Sequence, residues 1–112
     1  MPIAYCHLAP DLIKTVDFSS IVSAWASAIQ VQESDITFNL IPVEQQVGQH
    51  FRIMIQLYLP TLWEPTQVRH IMEELGRLMQ EHVPMKPDEL FIHTHLVESG
   101  HVFTDGKIEE WG

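Results

Sequence analysis

The order of elements along the chain repeats, and that repetition limits the possible folds more than any single residue does. Residues 2–8 form an apolar run that the turn-forming Ala9-Pro10-Asp11 should end. Phe18, Ile21, Val22, Trp25, Ala28 and Ile29 then fall at the i, i+3, i+4, i+7 spacing of an amphipathic helix, which Asp17 is placed to cap. Residues 36–41 set Ile36, Phe38 and Leu40 against Thr37 and Asn39, the alternation of a half-buried strand, and Pro42 closes it. After a polar loop over residues 44–50 the same order returns. Phe51, Ile53, Ile55, Leu57 and Leu59 share one face of a strand, with Arg52, Met54, Gln56 and Tyr58 on the other. Val68, Ile71, Met72, Leu75, Leu78, Met79 and Val83 give a second helix, with Thr66 as its expected cap and Pro84 and Pro87 preventing continuation. Leu90–Val97 reads as a last long strand. Asp105-Gly106 supplies the positive φ angles of a type I′ turn in a short terminal hairpin.

Two strand-helix-strand units with right-handed crossovers place parallel strands within each unit. Side by side they predict an α+β two-layer sandwich, a four-stranded sheet with both helices on one face plus the hairpin, as one domain over residues 1–112. Two helices cover one face of such a sheet. The other face is expected to hold Ala4, Cys6, Met54 and Tyr58, too apolar for open water, so further copies of the chain are its natural cover.

Charge narrows the partners. Fifteen acidic against six basic residues give a net charge of −9, which disfavours nucleic acid and anionic membrane surfaces. No apolar run reaches the length of a membrane span, and no signal-peptide pattern opens the chain. The lone Cys6 forms no internal disulfide and suits a reducing cytoplasm as a small buried hydrophobe. The glycines form no phosphate-binding loop, and no serine sits in a nucleophile elbow.

Pro2 stands at the head of the first strand. It is either a residue tolerated where no ladder donor is needed, or, once Met1 is removed, a secondary amine able to carry protons near neutral pH. Pro2 before the first strand, the strand order and the terminal hairpin together resemble the tautomerase superfamily, which includes 4-oxalocrotonate tautomerase and macrophage migration inhibitory factor. Residues 36–42, Ile-Thr-Phe-Asn-Leu-Ile-Pro, are similar to the second strand of the migration inhibitory factor. Residues 87–93, Pro-Asp-Glu-Leu-Phe-Ile-His, resemble the approach to its last long strand.

The resemblance implies a homotrimer with sites between subunits. It also implies an isomerase activity, in which Pro2 serves as general base in keto-enol proton transfer on a small α-keto acid or related carbonyl compound, with no cofactor. Only Pro2 matches a catalytic position directly. The family's first arginine falls near Lys14 and its second near Thr37, while a lysine falls near Val31, and a tyrosine and an asparagine fall at Phe91 and His93. The remaining candidates for substrate binding are Arg52, His93, Asn39 and Tyr58. Arg52 either holds a substrate carboxylate, reaches to the sheet edge or pairs with an acidic side chain. Without the usual cations a smaller or less charged substrate is easier to bury than a dicarboxylate.

Two alternatives accompany this reading. One is a non-catalytic oligomeric binding or structural protein of the same fold. The other is a metal-binding protein using His93 and His95, which share a strand face; a zinc or iron site needs a third convergent ligand that alternation alone does not supply.

Overall fold

The computed structural model describes all residues from Met1 to Gly112. The chain runs β1 (Ile3–Leu8), α1 (Pro10–Thr15), α2 (Phe18–Ile29), β2 (Thr37–Pro42), β3 (Ile53–Pro60), α3 (Pro65–His82), β4 (Leu90–Val97), β5 (Val102–Thr104) and β6 (Lys107–Glu109). Single 3₁₀ turns, Glu33–Asp35 and Pro87–Glu89, lead into β2 and β4.

Local chemistry explains most of these bounds. Asp17 caps α2, its carboxylate accepting from the Ser20 amide at 3.2 Å and from the Ser19 and Ser20 hydroxyls at 2.7 Å each. The expected turn at Ala9-Pro10-Asp11 is instead the start of α1. Pro10 occupies the first helical turn, where its missing N–H costs nothing, and Leu12 is thereby buried against the core. Thr66 is not the cap of α3. Pro65 takes the first helical position, so Glu64 becomes the cap, its amide donating to Gln67 Oε1 at 2.9 Å.

The sheet order is β2-β1-β3-β4. β1 and β2 are parallel, as are β3 and β4, and the two units join through antiparallel β1 and β3. Ile53, Ile55, Leu57 and Leu59 are fully buried and face Phe18, Ile21 and Trp25 of α2 and Ile71, Leu75, Leu78 and Met79 of α3. The Trp25 indole donates to the Ile71 carbonyl at 3.0 Å, satisfying its polar atom while tying the helices of the two units together.

One expectation about the faces is overturned. Ala4 and Cys6 are fully buried beneath the helices, because the register sets Ala4 opposite Leu57 and Cys6 opposite Ile55. Burial pushes the Cys6 thiol up to about 12. The uncovered face is built instead from Ile3, Tyr5 and His7 of β1, Met54, Gln56 and Tyr58 of β3, their counterparts on β2, and Phe91, His93 and His95 of β4. The β5–β6 hairpin forms a sheet of its own, turning at Asp105 (φ 53°) and Gly106 (φ 76°). Trp111 anchors the end of the chain: its amide donates to Ser99 Oγ at 2.6 Å and its indole to Thr61 Oγ1 at 3.1 Å. Phe103 and Ile108 remain 70% and 51% exposed. No helix is long and apolar enough to cross a membrane.

Candidate functional site

Pro2 sits at the head of central strand β1, nearly fully buried, and its carbonyl accepts from the Thr37 amide at 3.0 Å. With Met1 attached, its nitrogen is an amide and has no basicity. Burial lowers the basicity of the Met1 amine, and the charges of Asp35 and Glu109 partly oppose that shift.

A depression of about 500 Å³ opens beside this end of the strand. Met1 and Ile3 lie along its edge while Pro2 between them is buried and does not line it; Tyr5, Gln56 and Tyr58 form the sheet floor, and Val97, His101, Val102 and Phe103 complete the wall. The Tyr5 and Tyr58 rings meet edge to face at 5.7 Å. From Tyr58 a row of rings crosses the open face. Tyr58 stacks on His95 at 5.1 Å, His95 meets His93 at 4.8 Å, His93 meets Phe91 at 5.4 Å, and Phe91 meets Phe51 at 5.2 Å.

The residues singled out from sequence do not all gather here. Tyr58 lines the depression at the head of β1, and Pro2 does not. His93 lies in an adjoining hollow of about 440 Å³ with His7, Met54 and Phe91, and Gln56 is common to both hollows. Asn39 lies beside Tyr5 on edge strand β2, with its side-chain amide donating to the Ala4 carbonyl at 3.3 Å. Arg52 does not interrupt the strand. It precedes β3 and pairs with Asp11 at 3.0 Å, at the opposite end of the sheet from Pro2. Tyr58 lies six positions further along, roughly 20 Å on an extended strand. Lys14, in the last turn of α1, lines neither hollow.

Sequence reasoning missed Tyr5, Gln56, His101 and Phe103. Tyr5 and Gln56 carried a signal, since they oppose each other across the β1–β3 register with polar tips on otherwise apolar strands. His101 and Phe103 carried none, because they arrive only when the hairpin folds back. The metal alternative gains no third ligand, as no group of three or more His, Cys, Asp or Glu side chains converges within the chain.

No protein-family model matches the chain, and no curated protein matches it in sequence. Solved structures do match in shape. The fused 4-OT called R7, an asymmetric trimer, superposes with a TM-score of 0.78 at 12% identity, over 95% of this chain and 94% of that one. The macrophage migration inhibitory factor of Oncomelania hupensis gives 0.69 at 11% identity, over 99% and 97% of the two chains. N1, a member of the cis-3-chloroacrylic acid dehalogenase family, gives 0.71 at 7% identity, over 96% and 82%. The chain has the tautomerase superfamily fold. At these identities the tautomerase-like likeness concerns the path of the backbone, and the chemistry has to be argued from the side chains beside Pro2.

Proposed function

We propose that this chain is a tautomerase-like isomerase in which Pro2, after removal of Met1, is the general base for keto-enol proton transfer on a small α-keto acid or related carbonyl compound. The observation that carries the reading is the depression at the head of β1, lined by Met1 and Ile3, the two chain neighbours of the buried Pro2. A Pro2 secondary amine there would take a proton from the carbon next to a carbonyl and return it to the other end of the enolate. A neutral donor would stabilise the developing oxyanion, with Tyr58 the nearest of the candidates. Arg52, His93 and Asn39 could serve this site only across a subunit boundary or after rearrangement.

A homotrimer fits the same reading. Two sheet edges, β2 and β4, are unpaired, and outside the depression the open face carries Phe91 at 39% exposure and the hairpin holds out Ile108. The buried free thiol of Cys6 agrees with a cytoplasmic setting.

The test begins with the intact mass of untagged protein, expected to lack Met1. The processed protein should then interconvert keto and enol forms of a simple α-keto acid above the buffer rate, and the same chain with Met1 forcibly retained should not. Equal rates for the two would remove Pro2 as the base. That result would favour the second reading, a non-catalytic oligomeric protein, for which the burial of Pro2 and the lack of a lining arginine or lysine already speak.

A further inference from the structure

The wall beside Pro2 holds no arginine, lysine, aspartate or glutamate. The six basic residues are placed elsewhere: Arg52 is held by Asp11, Arg77 by Glu74 and Glu81, and Lys14, Arg69, Lys86 and Lys107 do not line the depression. His101 and, while Met1 is retained, the Met1 amine are the basic groups on that wall, and burial drives the Met1 amine toward its neutral form. The other polar atoms are neutral. Tyr5, Gln56 and Tyr58 line the hollow, and their side chains make no hydrogen bond within the chain. The remaining surface is aromatic or aliphatic, with Tyr58 and Phe103 on two sides, and a volume of about 500 Å³ lies in the range of small-molecule sites.

We propose that this depression selects a neutral aromatic carbonyl compound over the same skeleton bearing a carboxylate. The ring packs against Tyr58 and Phe103, and the carbonyl oxygen accepts from the Gln56 amide or a tyrosine hydroxyl. Three unpartnered neutral polar groups can meet one carbonyl oxygen, whereas a carboxylate moved into this wall loses its water without gaining a fixed cation. The inference rests on the reading of Pro2's surroundings as the site and narrows its substrate class.

The experiment measures binding at pH 7.5 to the protein as purified, by amide chemical-shift titration, with 4-phenylbutan-2-one, 2-oxo-4-phenylbutanoate and heptan-2-one as probes. The aromatic ketone should bind at least about tenfold more tightly than the keto acid, shifting the Tyr5 and Gln56 amides, and more tightly than the aliphatic ketone. Tyr58→Leu should weaken it severalfold, and so should Phe103→Ser, a change on the exposed hairpin outside the core. Equal or tighter binding of the keto acid, parity with heptan-2-one, or no saturable binding of the aromatic ketone would overturn the inference. Selective ketone binding without exchange of its α-hydrogens for deuterium would support it while removing Pro2 as the base.

Discussion

Asp17 shows how one side chain at a helix start couples stability to pH. Hydrogen bonds from the Ser20 hydroxyl, the Ser19 hydroxyl and the Ser20 amide hold its carboxyl down to about 2 from an ordinary 3.8. Because the folded value is depressed, the contribution is fully present above about 4 and is lost as pH falls through about 2. Asp17→Ala should therefore lower the urea midpoint at pH 7, and its gap from the parent should narrow across that acid window. A gap independent of pH would mean that the charge of the carboxylate plays no part in the cap. Cys6 makes a different prediction. Its thiol, raised to about 12 by burial, should resist a disulfide reagent at pH 8 in the native protein and react at once in denaturant. Rapid native labelling would contradict the placement of Cys6 beneath the helices. Trp25 is buried whole and hydrogen-bonded across to α3, so Trp25→Ala should cost about 3–5 kcal/mol in equilibrium unfolding.

Among the elements, the hairpin is the one whose apolar side chains find the least cover within the chain. Ile108 lies outside the core cluster and is 51% exposed, so Ile108→Asp should leave the melting of an isolated chain nearly unchanged. In an oligomer that uses the hairpin, the same change should lower the mass measured by light scattering at micromolar concentration. An unchanged mass would show that the hairpin takes no part in assembly. The elements differ in how legible they were. Leu90–Val97, the Asp17 cap and the Asp105-Gly106 turn could be read directly, because each is decided by residues within a few positions of one another. Pro10 and Pro65 were harder, since proline both ends one element and opens the next, and the flanking residues do not say which. The facing of β1 was not readable at all from its own alternation. Ile3 and Tyr5 are as apolar as Ala4 and Cys6, and only the register with β3 sends the smaller pair under the helices. The site shares that dependence: Tyr58 was visible on its strand, while His101 and Phe103 reach it only through the fold-back, and Arg52 takes the acidic partner the sequence offered as an alternative, Asp11, on a helix read as a turn.

For the whole molecule, an uncovered sheet face rich in aromatic rings and two free edges lead to the expectation of a scattering mass about three times the chain's 12.9 kDa at micromolar protein. A stable monomer would leave that face without a cover and undo the homotrimer reading. The antiparallel seam between β1 and β3 has a separate consequence, for valency. A rotation by half a turn about that seam carries one strand-helix-strand unit roughly onto the other, and it carries the position before Ile3 onto the position before Ile53. Those positions hold Pro2, whose carbonyl accepts from the Thr37 amide, and Arg52, whose amide donates to the Glu89 carbonyl, so each is tied to the start of the strand parallel to its own. The backbone thus offers two similar mouths per chain, but Arg52 lies in mid-chain and can never present a terminal amine. Titration with a reagent for such an amine should saturate at one equivalent per chain, half of what the symmetry of the backbone would accommodate.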